Sequence, residues 1–138
     1  MTDAAAYDAA YGAWLNDPHG WWAKAAEELS WHKKWDKVFD PGLGPYGQWF
    51  AGGEINTCYN CLDRHVEAGR GDQAALIYDS PMTQQVRTLT YKDLLSRVAK
   101  TAGALAKLGV GRGDRVILYM PMVPEAAIGM LACARLGA

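Results

Sequence analysis

Val116, Ile117, Leu118, Tyr119 and Met120 form an apolar run without a polar break. Alternation of apolar and polar residues suits a strand with one wet face. An unbroken run suits a strand covered on both faces, as in a parallel sheet with helices on either side. The flanking segments agree. Upstream, TYKDLLSRVAKTAGALAKLGV (residues 90–110) places Leu94, Val98, Ala102, Leu105 and Leu108 on one helical stripe. Thr90 and Asp93 stand at capping-box positions, with Asp in place of the usual Glu, and Gly109 is placed to end the helix. Downstream, Pro124 opens a second helix through EAAIGMLACARLGA. AALIYDSP and VRTLTY, before the first helix, read as two strands around a turn. The resulting order of strand, strand, helix, strand, helix predicts an α/β fold. A parallel sheet requires another strand after the last helix. The chain stops at Ala138, so the sheet is expected to be incomplete and the chain to be a fragment, the alternative being a natural C-terminal helix of a stand-alone, non-catalytic binding module.

The first part of the chain is different in kind. All six tryptophans lie before residue 50. Tyr7, Tyr11, Trp14 and Leu15 recur at helical spacing. Asp17 and Pro18 then supply an N-cap and a first turn, and Trp21, Trp22, Ala25 and Leu29 continue a helical face. Short helices with aromatic faces leave apolar surface wet, so they are expected to pack on a larger body. A sugar- or base-stacking platform would need a polar or basic groove, and none is evident. Lys33, Lys34 and Lys37, interleaved with Asp36 and Asp40, read as a solvated helix face. DPGLGPYGQWFAGGE reads as a Gly/Pro-rich connection, followed by a helix from about Thr57 to Glu67.

Bulk composition excludes several function classes. With 138 residues, 50% hydrophobic and 21% charged, the chain is large enough for a domain with a core. Fourteen basic residues against 15 acidic ones give a net charge of −1, so no field favours nucleic acid or an anionic membrane. No apolar run is long enough to span a bilayer. The first basic residue is Lys24, and Asp3, Asp8 and Asp17 argue against a transit peptide. With an odd count of three cysteines, a reducing, cytoplasmic setting is expected.

Three stretches invite a chemical reading. Cys58-x-x-Cys61 with His65 has the look of a redox or metal site. Zinc would want four ligands and this segment offers three. Cys58, Cys61, Leu62 and His65 also fall on one helical face, which favours core packing and predicts reduced, packed, metal-free thiols. GVGRGDRV has three glycines beside Arg112 and Arg115, but it joins a helix to a following strand. Phosphate loops lie between a strand and the next helix N-terminus, so it reads as an ordinary αβ turn. Ser30, Ser80 and Ser96 have no nucleophile motif around them, His19, His32 and His65 are isolated, and Asp63 and Arg64 read as a surface or interface ion pair.

Larger blocks carry a resemblance. WFAGGEINTCYNCLDRHVEAGRGDQAALIYDSP, TLTYKDLLSRVAKTAGALAKLGVGRGDRVILYMPMVPEA and MLACARLGA resemble the short-chain acyl-CoA synthetases, the acetyl- and propionyl-CoA synthetases of the adenylate-forming superfamily. The most specific blocks are Tyr59–His65, Tyr119–Met122 and Met130–Arg135, and IYDSPMT looks closer to the propionyl-type branch. The resemblance implies an aromatic-rich helical cap over 1–48, and the first βαβα units of an AMP-binding domain over 49–138. It implies a parent enzyme that uses ATP, Mg2+ and coenzyme A. A short carboxylate becomes an acyl-adenylate with release of pyrophosphate, and the thiol of coenzyme A then displaces AMP. The family's phosphate loop, ribose-binding acid, hinge, catalytic lysine and acyl pocket are not in these residues. No catalytic, cofactor-binding or metal residue is therefore assigned, and the isolated chain is expected to be inactive. Its expected partners are the remainder of the synthetase chain and, in the parent, a small carboxylate substrate, with no nucleic acid and no membrane.

Overall fold

The computed structural model describes residues 4–138, and Asp3, one of the residues weighed against a transit peptide, lies outside them. The chain divides into two compact units, one ending at Ile55 and the other spanning Asn56–Ala138.

In the first unit, α1 (Ala4–Asn16) and α2 (Pro18–Ala26) precede a hairpin of β1 (Lys37–Asp40) and β2 (Gln48–Ala51). The α2 start is as expected: the Asp17 carboxylate accepts from the Gly20 amide at 2.9 Å, and Pro18 occupies the first turn, where no donor is needed. The helix ends at Ala26 rather than continuing to Leu29, and the Trp31 indole N–H takes the Ala26 carbonyl at 2.8 Å. Two expectations fail here. Residues 40–54 are more than a connection, because Asp40 ends β1 and Gln48–Ala51 pairs antiparallel with Lys37–Asp40. Lys33, Lys34 and Lys37 are not helical. The Glu54 amide donates to the Lys33 carbonyl at 2.9 Å, and Lys37 lies in β1. Their charges are solvated, with Lys33 near Asp36, Lys34 near Glu27 and Lys37 on Asp40. Aromatic packing explains the extended backbone. Trp31, Trp35 and Phe50 interlock with ring centroids 4.9–5.4 Å apart, and Phe39 meets Trp49 across the hairpin at 4.9 Å.

In the second unit, a helical stretch (residues 57–70) contains two π-helical turns, Tyr59–Asp63 and Val66–Arg70. It runs three residues past the expected Glu67 end. Next come β3 (Ala74–Ser80) and β4 (Gln85–Thr90), an antiparallel pair, then α3 (Tyr91–Lys107) and α4 (Pro124–Leu136). The capping box at Thr90 and Asp93 is present in both directions. Leu94, Val98 and Ala102 are buried on the α3 stripe, where they join Cys58, Leu62, Leu89, Ile128 and Ala132 in one core. Leu108 leaves the stripe: it is the α3 C-cap and is 82% exposed. Gly109 follows with φ 93°, a conformation that suits glycine.

The α/β class holds, with two small two-stranded sheets in place of a larger one. The expected strand at Val116–Met120 is not paired. Ile117 and Tyr119 are 92% and 99% exposed, and no backbone–backbone hydrogen bond involves Arg115–Met120 among the described residues. A strand is defined by its neighbour, so an apolar run without one stays an extended segment. No helix among the described residues is long and apolar enough to cross a membrane.

Candidate functional site

The Cys58–His65 segment holds the residues that the sequence singled out, and the structure separates them. Cys58 is fully buried, Leu62 lies beside it in the core, and Cys61 is exposed. The predicted common face assumed 3.6 residues per turn. The wider π-helical turn at Tyr59–Asp63 shifts that phase and turns Cys61 outward. All three cysteines are free. His65 packs edge-on to Tyr91 with centroids 5.1 Å apart, and its Nδ1 accepts from Arg70. Burial first, then the charges of Arg70 and Arg64, holds its pKa below the usual histidine value. Among the described residues, no group of three His, Cys, Asp or Glu side chains could hold a metal ion.

The arrangement that does form is a polar latch between this helical stretch and the last turn of α4. Arg135 Nη2 donates to Asp63 Oδ2 at 2.6 Å, with both side chains largely covered. Burial opposes the guanidinium's charge, but the bond to Asp63 and the nearby Cys58 outweigh it, so the Arg135 pKa is raised. Asn56 Nδ2 donates to the carbonyls of Ala134 and Arg135 at 3.1 and 3.2 Å, satisfying acceptors that the helix end leaves open. Its Oδ1 accepts from the Tyr59 amide at 2.9 Å, so one side chain caps two elements. Burial pushes the Cys58 thiol up, partly offset by Arg135. A protonated buried thiol beside an ion pair is structural chemistry, since a nucleophilic cysteine needs a lowered pKa. Asp63 was placed in an ion pair from the sequence. Its partner and the Asn56 cap were not, because Asp63 and Arg135 stand 72 positions apart in the chain and no local pattern links them.

The GVGRGDRV loop is a turn, as its context implied. The Gly111 amide donates to Asp114 Oδ2 at 2.7 Å, and the Gly113 amide to the Gly137 carbonyl at 2.8 Å. Two of its amides are thus committed to protein acceptors, and Asp114 adds negative charge, so the loop does not fit a phosphate. No step of a reaction is assigned to the described residues.

The profile of the family described as "AMP-binding enzyme" matches residues 62–138, more than half of the chain. The chain belongs to this family. The profile described as "Acetyl-coenzyme A synthetase N-terminus" matches residues 7–61. Acyl-CoA synthetase short-chain family member 3, mitochondrial, of Bos taurus is 50% identical over 132 residues, 96% of this chain and 19% of that protein. The acetyl-coenzyme A synthetase of Mycobacterium bovis is 52% identical over 121 residues, covering 88% of this chain and 19% of that protein. Among solved structures, the acetoacetyl-CoA synthetase from Streptomyces lividans aligns with a TM-score of 0.80 and 30% identity, over 91% of this chain and 19% of that one. The chain therefore spans about a fifth of the length of the curated relatives it matches.

Proposed function

We propose that this chain is the N-terminal portion of an AMP-forming short-chain acyl-CoA synthetase that activates propionate with ATP, Mg2+ and coenzyme A. The observation that carries the class is the identity of about one half, sustained along nearly the whole chain, to synthetases of which the chain covers a fifth. Propionate is favoured over acetate by the IYDSPMT block at Ile77–Thr83. Acetate is the second reading, supported by the equally high identity to an acetyl-coenzyme A synthetase. In this reading residues 1–48 are the cap region and 49–138 open the adenylate-forming domain. The chemistry belongs to residues outside this chain, where adenylation would convert a carboxylate oxygen into a good leaving group.

The test is pyrophosphate release by the complete synthetase with acetate and propionate as rival substrates. The expected result is turnover with a higher kcat/KM for propionate. Equal or greater efficiency with acetate removes the acyl assignment. No adenylate formation with either acid removes the class. The 138-residue chain alone is expected to show no turnover above background.

A further inference from the structure

We propose that the aromatic recess between α1 and α2 binds a small, free quaternary ammonium compound, of the trimethylammonium class to which choline belongs.

The recess has a volume of about 340 Å3 and is lined by Tyr7, Ala10, Tyr11 and Trp14 of α1 and by Trp21 and Trp22 of α2. Five of these six side chains are aromatic. Their clustering follows from the sequence. Tyr7, Tyr11 and Trp14 recur at the three- and four-residue spacings that bring side chains together on one helix face. The Tyr7 and Tyr11 rings are parallel within 5°, with centroids 6.1 Å apart, and Trp14 adjoins Tyr11 at 5.6 Å. Trp21 and Trp22 stand at 86° to each other at 4.8 Å, which makes a corner rather than a flat wall. Trp49 packs edge-on to Trp22 at 6.4 Å, so the corner is held in place before any ligand arrives. Tyr7 and Tyr11 are exposed, which leaves the recess open to small molecules.

Charge selects the occupant. Aromatic faces carry partial negative charge and attract cations. Up to Ile55 the chain has eight acidic residues against four basic ones, and Lys33, Lys34 and Lys37 are paired with Asp36, Glu27 and Asp40. The fourth, Lys24, lines a neighbouring recess with Asp17 and Glu28, and that recess shares Trp21. An anionic ligand would therefore meet surroundings of its own sign. No side chain lining the aromatic recess is charged, so a cation there is held by rings and not by a salt bridge. The same unit already uses such a contact, with Lys34 Nζ 5.0 Å from the centroid of the Trp35 ring. A primary ammonium keeps its water tightly and needs acceptors that aromatic walls supply poorly. A sugar or a nucleobase would leave polar edges unpaired for the same reason. A quaternary ammonium donates no hydrogen bonds, and its methyl groups pack on ring faces while its charge is attracted to them.

The test is a calorimetric titration of choline and tetramethylammonium into the complete synthetase and, in parallel, into the 138-residue chain. Saturable binding to both is expected. The uncharged isostere of choline, in which carbon replaces the nitrogen, should bind about 10-fold more weakly. Tyr7→Leu combined with Tyr11→Leu keeps apolar side chains and helix propensity but removes two rings, and should weaken choline binding about 10-fold. Tyr11→Phe keeps the ring and should bind as the wild type does. Absence of saturable binding overturns the proposal. Equal affinity for choline and its isostere overturns it as well, because the recess is then merely apolar, and this comparison needs no variant that might fail to fold. Undiminished binding by the double leucine variant places the cation elsewhere. Binding to the 138-residue chain but not to the complete synthetase means that the remainder of the protein covers the recess, with the same consequence. Binding to phosphatidylcholine vesicles without binding of free choline assigns a lipid headgroup instead and removes the free compound. Turnover is not read, so failure of the ligase assay leaves the proposal standing.

Discussion

Arg135 Nη2 lies 2.6 Å from Asp63 Oδ2, and this contact ties the π-helical turn at Tyr59–Asp63 to the last turn of α4. Both side chains are mostly covered, so the pair is more than a surface ornament. Arg135 Nε is buried and has no hydrogen-bond partner among the described residues, which leaves the guanidinium more dependent on Asp63.

Removing the carboxylate should strand that charge. Asp63→Ala is expected to destabilise the second unit by about 2 kcal/mol, less than for a fully buried pair because both groups keep some water. Urea unfolding followed by far-UV circular dichroism measures it. An unchanged midpoint would show that solvent already satisfies Arg135.

How far the sequence could be read follows from the range of the interactions. The α3 cap, its stripe as far as Ala102 and the Pro124 helix start are set by neighbours within four residues, and each appears where expected, whereas Leu108 leaves the stripe at the helix end. The β1–β2 hairpin was hidden because its turn residues look like a linker, while its partners are chosen by aromatic contacts such as Phe39 with Trp49. Cys61 was misplaced by a change of helical pitch that leaves no mark in spacing. Val116–Met120 has the composition of a buried strand, but pairing is a property of two segments and only one is present.

The glycine at the end of the β1–β2 turn provides a test of that hairpin. Gly47 has φ 73°, and a Cβ there would collide with the Phe39 ring. Gly47→Ala should therefore cost about 1–2 kcal/mol from the left-handed backbone alone, with a further penalty from displacing the ring. Tryptophan fluorescence during denaturation reports it, since Trp49 packs on Phe39. A variant as stable as the parent chain would mean that the turn rearranges freely.

The helix start at Thr90 is open to a similar test. Its hydroxyl accepts from the Asp93 amide at 3.2 Å and donates to the Asp93 carboxylate at 2.7 Å. Thr90→Ala should lower stability by about 1 kcal/mol, the usual cost of losing an N-cap. The Thr90 hydroxyl and amide hold the Asp93 carboxyl below the usual carboxylate range. A lowered pKa adds stability above the unfolded value, lost as pH falls through the folded one. The wild-type chain should therefore lose part of this contribution in acid, and Thr90→Ala should lose less. Parallel acid titrations of the two would argue against the cap.

The three cysteines should differ sharply in reactivity. Cys61 is exposed, whereas Cys58 and Cys133 are buried. A thiol reagent added to the native chain at neutral pH should modify Cys61 rapidly and the others only on unfolding. Burial also raises the Cys58 pKa, so the folded state favours the protonated thiol. The sign follows from linkage. The contribution is fully present below the pKa of the unfolded thiol and is lost as pH rises through the raised folded value. Stability should accordingly decline in the alkaline range just above the ordinary thiol pKa, and Cys58→Ala should remove that part of the slope, whatever its cost at neutral pH. Comparing denaturation midpoints of the two proteins across that range isolates the thiol from other groups titrating there. Identical slopes, or rapid native labelling of Cys58, would mean that the thiol is not held in the core beside Arg135.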